Sequence, residues 1–198
     1  MFANTPSKIS HQITKLCRLI VANPMPTFVA VVPGCSAVRD ECFDNVRRKV
    51  AEEGGDIQYG WQLWEWPNIY IEAEFHAVWK PPNNGYLDIT PKEKPTDCIL
   101  FLPDIVRRYE GKRIDNIRRP LRKDRLILDF LSISADIFNM KMRGVHPNNP
   151  GKFTMPVEPF KKLNKHYLIR REMLSRGDTE NSLCFCGSSK KYKNCHAL

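Results

Sequence analysis

Hydrophobic and polar residues alternate along residues 69–79. One face carries Ile69, Ile71, Ala73, Phe75, Ala77 and Trp79. The other face carries Tyr70, Glu72, Glu74, His76 and Val78. This period of two predicts a β-strand with His76 on the face that holds the carboxylates, away from the main core. Leu87 and Ile89 alternate with Asp88 in the same way, so we expect a second strand with Asp88 on its non-core face.

Two connections can join these predicted strands. A two-residue turn at Asn84-Gly85 would place Asp88 opposite Pro81. That proline and the one after it cannot donate hydrogen bonds to a strand ladder. We therefore favour a wider loop, which sets His76 directly across from Asp88, within reach of a hydrogen bond.

A helical pattern precedes the two strands. Its apolar stripe recurs at Phe43, Val46 and Val50. Gly54-Gly55 predicts the end of the helix, and Asp40 or Ser36 is the candidate cap at its start. Cys42 then lies in the first turn, where the helix dipole and a nearby imidazolium lower the pKa of a thiol.

The remaining elements complete an α+β pattern. The same criteria predict helices over 6–22, 126–142 and 158–175, short strands over 28–32 and 98–102, and a loop over 145–157. From residue 104 the chain becomes basic and helical in character. Strands cluster between 57 and 102, so we expect helices around an antiparallel sheet of about three to five strands. The predicted domains are a core over 1–103, a basic helical extension over 104–177 and a small knuckle over 178–198.

The order Cys42, His76, Asp88 is the one that acyl transfer on a sulfur nucleophile requires. The thiolate attacks a carbonyl, the imidazole holds and returns the proton, and the carboxylate fixes the tautomer of the imidazole. Cys35 is a rival nucleophile. The other two cysteines of the body, Cys17 and Cys98, lie on apolar stretches and are expected in the core.

These residues carry a family resemblance. A cysteine on a helix, His76 within FHAVW and Asp88 within LDITP resemble the transglutaminase-like branch of the papain-type cysteine enzymes, over roughly Cys42 to Pro91. The resemblance implies a papain-type helix-plus-sheet core, with Cys42 as nucleophile, His76 as base and Asp88 as the orienting acid.

The tail reads CFCGSSKKYKNCH over residues 184–196. Cys184, Cys186, Cys195 and His196 supply three thiolates and an imidazole, a set that suits tetrahedral zinc with no open position. We expect this knuckle to close only on itself, so that removing the last fifteen residues would leave the body folded.

The tail resembles the SEC-C motif, which also ends the bacterial secretion ATPase. The resemblance implies a structural metal and a knuckle that docks to another protein.

The charge and the cysteine content of the chain bear on its partners and on its cellular compartment. The formal net charge is +9 and the pI about 9.3, which is compatible with an anionic partner. Nucleic acid is not favoured, because the aromatic residues belong to the sheet and not to the basic segments. Seven cysteines without disulfide-scaffold spacing indicate a reducing, cytoplasmic compartment. A membrane partner is not expected, since no apolar run is long enough to span a bilayer.

The sequence is compatible with three functions. The first is a zinc-binding SEC-C protein with cysteine-dependent acyl-transfer activity on a protein or peptide, either as an amidase, protease or deamidase or as a transglutaminase. The second is a non-catalytic adaptor that binds a protein partner through the knuckle. A basic nucleic-acid binder ranks third. Alkylation of Cys42 far faster than the other thiols would separate the first function from the other two.

Overall fold

The computed structural model describes residues 3–83, 85–146 and 149–197. Its helices are α1 (His11–Ile20), α2 (Cys42–Glu53), α3 (Arg125–Arg143) and α4 (Val157–Ser175). Its strands are β1 (Thr27–Val31), β2 (Asp56–Trp66), β3 (Tyr70–Lys80), β4 (Leu87–Asp88), β5 (Cys98–Pro103), β6 (Ile117–Pro120), β7 (Val145–His146) and β8 (Asn149–Phe153). The prediction of a mixed α+β protein is confirmed.

The chain divides into two compact units. We call residues 3–65 and 71–110 the barrel unit, and residues 66–70 and 111–197 the helical unit. No helix among the described residues is both long and apolar enough to cross a bilayer.

The barrel unit is built on five strands that close on themselves. Their order is β2-β5-β1-β4-β3, and β3 pairs with β2 to complete the ring. β1 pairs with β5 in antiparallel fashion, and so do β2 with β5 and β3 with β4. β1 and β4 are parallel, with Ala30 opposite Leu87 and Val31 opposite Asp88. The prediction of a wholly antiparallel sheet is therefore wrong, because β4 returns beside β1 only after α2, β2 and β3.

Closure of the sheet creates two buried faces. Val29, Val78, Ile99 and Phe101 form one buried cluster from three strands, which lies inside the barrel. A Cβ atom on Gly60 would lie 2.5 Å from the Phe101 ring, so β2 requires glycine where that ring crosses it.

The second buried face lies under α2. Val46 of this helix packs against Ala77, Trp79 and Ile89, outside the barrel. The placement of His76 and Asp88 on a non-core face is thus wrong, since both residues are buried, at 5% and 0% exposed. The sequence pattern had shown one apolar face, but the barrel buries both.

The helical unit packs α3 against α4. Phe130 of α3 stacks on Tyr167 of α4 with ring centroids 4.9 Å apart. Trp66 and Tyr70 also contact Phe130, each with its centroid 6.0 Å away. Leu121, directly after β6, donates its backbone N–H to the carbonyl of Ile69 at 2.9 Å.

The structure differs from the sequence-based prediction in two segments. The predicted loop over 145–157 contains β7 and β8, which pair with Val145 opposite Phe153, so backbone pairing overrides the local turn residues. No helix forms among the described residues of 104–124, where β6 lies instead. α3 begins at Arg125, after the N-cap residue Asp124, whose carboxylate accepts from the N–H groups of Leu126 and Ile127.

Candidate functional site

Cys42 is the first residue of α2 and is 8% exposed. Glu41 occupies the N-cap position without a side-chain cap hydrogen bond. The predicted caps, Asp40 and Ser36, are therefore wrong. Asp40 instead has a φ of 66°, a left-handed conformation that aspartate tolerates better than most residues. The chain thus turns sharply just before the thiol.

Asn45 fixes this turn from one helical turn further along. It is 3% exposed, and its side-chain oxygen accepts the N–H of Val38 at 2.9 Å while its amide donates to the carbonyl of Val38 at 2.7 Å. The same amide donates to the hydroxyl of Thr90 at 3.2 Å. Asn45 therefore joins the loop before Cys42 to the segment that follows β4.

His76 and Asp88 are in contact inside the barrel. Their Nε2 and Oδ2 atoms lie 3.1 Å apart, and Asp88 Oδ1 accepts the backbone N–H of Thr90 at 3.0 Å. Trp79 pairs with Leu87, so His76 lies diagonally from Asp88. This register sets Val78 opposite Asp88, so the expectation that His76 and Asp88 are directly opposite is wrong by two residues. The two remain on one face because side chains alternate with a period of two; Asn84, in the connection, lies outside the described residues.

The second ionisable group that acts on His76 is Cys42, through its charge. Burial alone lowers the pKa of the imidazole, but the negative charges of Cys42 and Asp88 and the hydrogen bond to Asp88 outweigh burial and raise that pKa to about 10. Because Nε2 bonds to Asp88, Nδ1 is the nitrogen available to the thiol. The structure thus brings together the three residues predicted for the acyl-transfer site.

Asp88 has a further partner that the sequence analysis missed. Lys92 Nζ lies 2.5 Å from Asp88 Oδ2 and donates to Gln62 Oε1 at 3.0 Å. Burial raises the pKa of the Asp88 carboxyl, but His76 and Lys92 outweigh that effect and lower it to about 2. The spacing of Lys92, four residues after Asp88, was a weak signal, whereas Gln62 becomes a neighbour only through barrel closure.

The remaining cysteines of the barrel unit have other surroundings. Cys35 is exposed in the loop after β1, and Cys17 is fully buried in α1. Burial raises the pKa of the Cys17 thiol to about 11, as expected of a core cysteine. Among the described residues, Cys42 is the cysteine that the structure places against His76.

Four candidate metal ligands converge in the helical unit. The ligand atoms of Cys184, Cys186, Cys195 and His196 all lie within 4.8 Å of one another. His196 Nδ1 is 3.2 Å from the sulfur of Cys184 and 3.3 Å from that of Cys195. The sulfurs of Cys186 and Cys195 are 3.5 Å apart. These separations suit four donors around one metal ion.

The electrostatic setting favours a thiolate at Cys186. Hydrogen bonds from the side chain and backbone of Ser188 lower the pKa of the Cys186 thiol to about 6. Lys190, Lys191 and Lys193 are exposed in the same segment, and their positive charges offset the negative charge of a three-thiolate cluster.

The knuckle does not close only on itself. Tyr192 is fully buried, donates its hydroxyl to Asp129 Oδ2 at 2.6 Å and accepts from Arg170 Nε at 2.7 Å. Arg170, 1% exposed, also donates to the carbonyl of the ligand His196 at 3.1 Å. The knuckle is thus tied to α3 and α4, and the expectation that it closes only on itself is wrong.

Comparison with known proteins gives one match. Residues 181–198 match the family model described as the SEC-C motif, whose members typically bind zinc. No curated protein and no solved structure matched the chain. The match covers the four clustered ligands, while the resemblance of the core to transglutaminase-like enzymes stays a prediction.

Proposed function

We propose that this chain is a cysteine-dependent acyl-transfer enzyme with a structural zinc knuckle. One observation carries the proposal: Cys42, at the start of a helix, acts through its charge on His76, which is itself bonded to the buried Asp88. A strongly perturbed histidine between a thiol and a carboxylate is a candidate for proton transfer.

The reaction would proceed in two steps. The Cys42 thiolate attacks the carbonyl carbon of a carboxamide, and the His76 imidazolium, which already holds the thiol proton, gives it to the departing amine as the C–N bond breaks. The product is a thioester on Cys42. Water or a second amine then attacks that carbonyl, gives its proton to His76, and releases the acyl group with the thiolate restored. The two nucleophiles correspond to hydrolysis and to transglutamination.

The start of α2 would stabilise the negative charge that develops on the carbonyl oxygen of the substrate. Because Glu41 makes no side-chain cap, the backbone N–H groups of the first turn are available to an oxyanion. The positive end of the helix dipole adds to this stabilisation.

We propose a protein or peptide as the substrate class. Phe43, the residue after the nucleophile, stacks on Tyr109 with ring centroids 3.8 Å apart, and Tyr59 and Phe75 lie within 6.2 Å of its ring. All four rings are partly exposed. Such a surface suits an apolar side chain of a polypeptide better than a nucleic-acid backbone.

We propose zinc as the metal, held by Cys184, Cys186, Cys195 and His196. Three thiolates and an imidazole fill the tetrahedral positions that zinc prefers, which leaves none for a substrate. The metal would then stabilise the fold and take no part in the acyl transfer.

The proposal is tested by trapping the acyl intermediate. The protein is mixed with p-nitrophenyl acetate at neutral pH, quenched with acid and mapped by peptide mass spectrometry. We expect one acetyl group on the peptide that contains Cys42, in a rapid burst that Cys42→Ala abolishes and Cys35→Ala leaves intact. Equal acetylation of Cys42 and Cys35, or none on Cys42, would reject the proposed nucleophile.

A further inference from the structure

We infer that Lys92 is a positioning residue for the proposed reaction, which holds the Asp88 carboxylate in place and limits how strongly it binds the imidazolium of His76. The inference rests on the proposed function. Lys92 would thereby set the pH range over which the Cys42–His76 pair is active.

Lys92 and His76 share a single acceptor, the Oδ2 atom of Asp88. Both His76 Nε2, at 3.1 Å, and Lys92 Nζ, at 2.5 Å, bind Asp88 Oδ2, while Oδ1 is occupied by the Thr90 N–H. The two cationic groups therefore compete for the same oxygen. The lysine side chain is 13% exposed and the aspartate side chain 0% exposed, so solvent screens this competition weakly.

Gln62 holds the lysine in this position. Its side-chain oxygen accepts from Lys92 Nζ at 3.0 Å, and the residue is 2% exposed. Gln62 Nε2 has no hydrogen-bond partner among the described residues. Leaving a buried amide group unpaired costs stability, so the contact of its oxygen with Lys92 orients a side chain that is otherwise poorly satisfied.

The other charged groups near this cluster are engaged elsewhere. Glu74, on the same face of β3 as His76, accepts from Trp64 Nε1 at 2.8 Å. Arg48 of α2 donates to Asn45 at 2.9 Å. Among the described residues, the charged groups that act on His76 or on its partner Asp88 include Cys42 and Lys92.

Loss of the lysine charge has a predictable direction. A neighbouring positive charge disfavours an imidazolium. Removing it raises the pKa of the His76 imidazolium, so the alkaline limb of a pH profile for Cys42 reactivity shifts to higher pH. Lys92→Arg keeps the charge, whereas Lys92→Met removes it.

The test is the pH dependence of Cys42 alkylation by iodoacetate, followed by peptide mass spectrometry on the full chain. We expect Lys92→Met to shift the alkaline midpoint upward by about one unit, because that midpoint titrates the imidazolium beside Asp88. Lys92→Arg should restore the wild-type midpoint. Lys92→Gln, which is neutral but can still hydrogen-bond to Asp88 and Gln62, serves as a second neutral variant if Lys92→Met unfolds.

The outcomes separate this inference from the proposed function. Rapid alkylation of Cys42 with the same midpoints in the wild type and the folded neutral variants would overturn the role of Lys92 alone. An equal shift in Lys92→Arg and Lys92→Met would also overturn it, since packing and not charge would then be responsible. Alkylation of wild-type Cys42 no faster than that of Cys35 would reject the proposed function, and the inference with it.

Discussion

His76 Nε2 lies 3.1 Å from Asp88 Oδ2, diagonally across β3 and β4 inside the closed barrel. The carboxylate is fully buried, and Thr90 holds its other oxygen. Its orientation is therefore fixed on both sides. A carboxylate held in this way keeps one imidazole proton on Nε2, so that Nδ1 is the nitrogen that exchanges a proton with the thiol.

Asp88→Asn should abolish most of the activity without unfolding the barrel unit. The amide has the same shape but favours the wrong imidazole tautomer, a change that costs about 10⁴ in rate in a related triad. Acetylation of Cys42 in the ester burst measures the effect, and circular dichroism checks the fold. A folded variant that acylates at the wild-type rate would contradict the role of Asp88.

The Asp88 carboxylate should make the free energy of unfolding depend on pH in the acidic range. The pKa of Asp88 is lowered to about 2 in the folded chain, against 3.8 ordinarily. The stabilisation is therefore present above pH 3.8 and is lost as the pH falls through about 2. A depression of this size corresponds to about 2 kcal/mol. Between pH 5 and pH 2, urea unfolding should show a smaller fall in the free energy of unfolding for Asp88→Asn than for the wild type. An equal fall in the two proteins would contradict the prediction.

The knuckle should hold one zinc ion per chain. Metal analysis of protein purified without chelator should give this stoichiometry, and X-ray absorption should give zinc–sulfur distances of about 2.3 Å and a zinc–nitrogen distance of about 2.0–2.1 Å. Cys195→Ser should reduce the zinc content, whereas Cys35→Ser, outside the knuckle, should not. Protein without zinc, or a Cys195→Ser variant with full content, would contradict the assignment.

Tyr192→Phe should destabilise the helical unit although it removes no metal ligand. It removes the hydroxyl that both Asp129 and Arg170 contact, and a hydrogen bond to a charged group contributes about 1.5–3 kcal/mol. Chemical unfolding followed by circular dichroism measures the loss, and Lys191→Ala, at an exposed neighbouring position, is the control. Equal stability of the two variants would show that the knuckle is not coupled to α3 and α4.

Local patterns predicted most of the elements of this chain. The alternation over 69–79 and the stripe at Phe43, Val46 and Val50 correspond to β3 and α2, because each pattern reports the period of its own backbone. The thiol, imidazole and carboxylate could be placed for the same reason. An error of two in the strand register keeps every side chain on its face, so His76 and Asp88 still meet.

Long-range features could not be predicted from such patterns. Barrel closure brings Gln62 and Lys92, thirty residues apart, to within 3.0 Å, and nothing in either local sequence records that contact. The burial of Tyr192 against Asp129 is likewise set by the packing of the knuckle, whose own sequence signals only metal ligation. The parallel pairing of β1 with β4 depends on the path of the whole chain between them.

The protonation state of His76 tests the central claim most directly. In the ¹⁵N-histidine NMR spectrum, the imidazole of His76 should stay protonated up to a pKa of about 10, because of the charges of Cys42 and Asp88. Cys42→Ala removes one of those charges and should lower this pKa, whereas Cys35→Ala should leave it unchanged. A wild-type His76 that titrates near its ordinary value of 6.5, or one that Cys42→Ala does not affect, would contradict the account of Cys42 and His76 as a coupled pair.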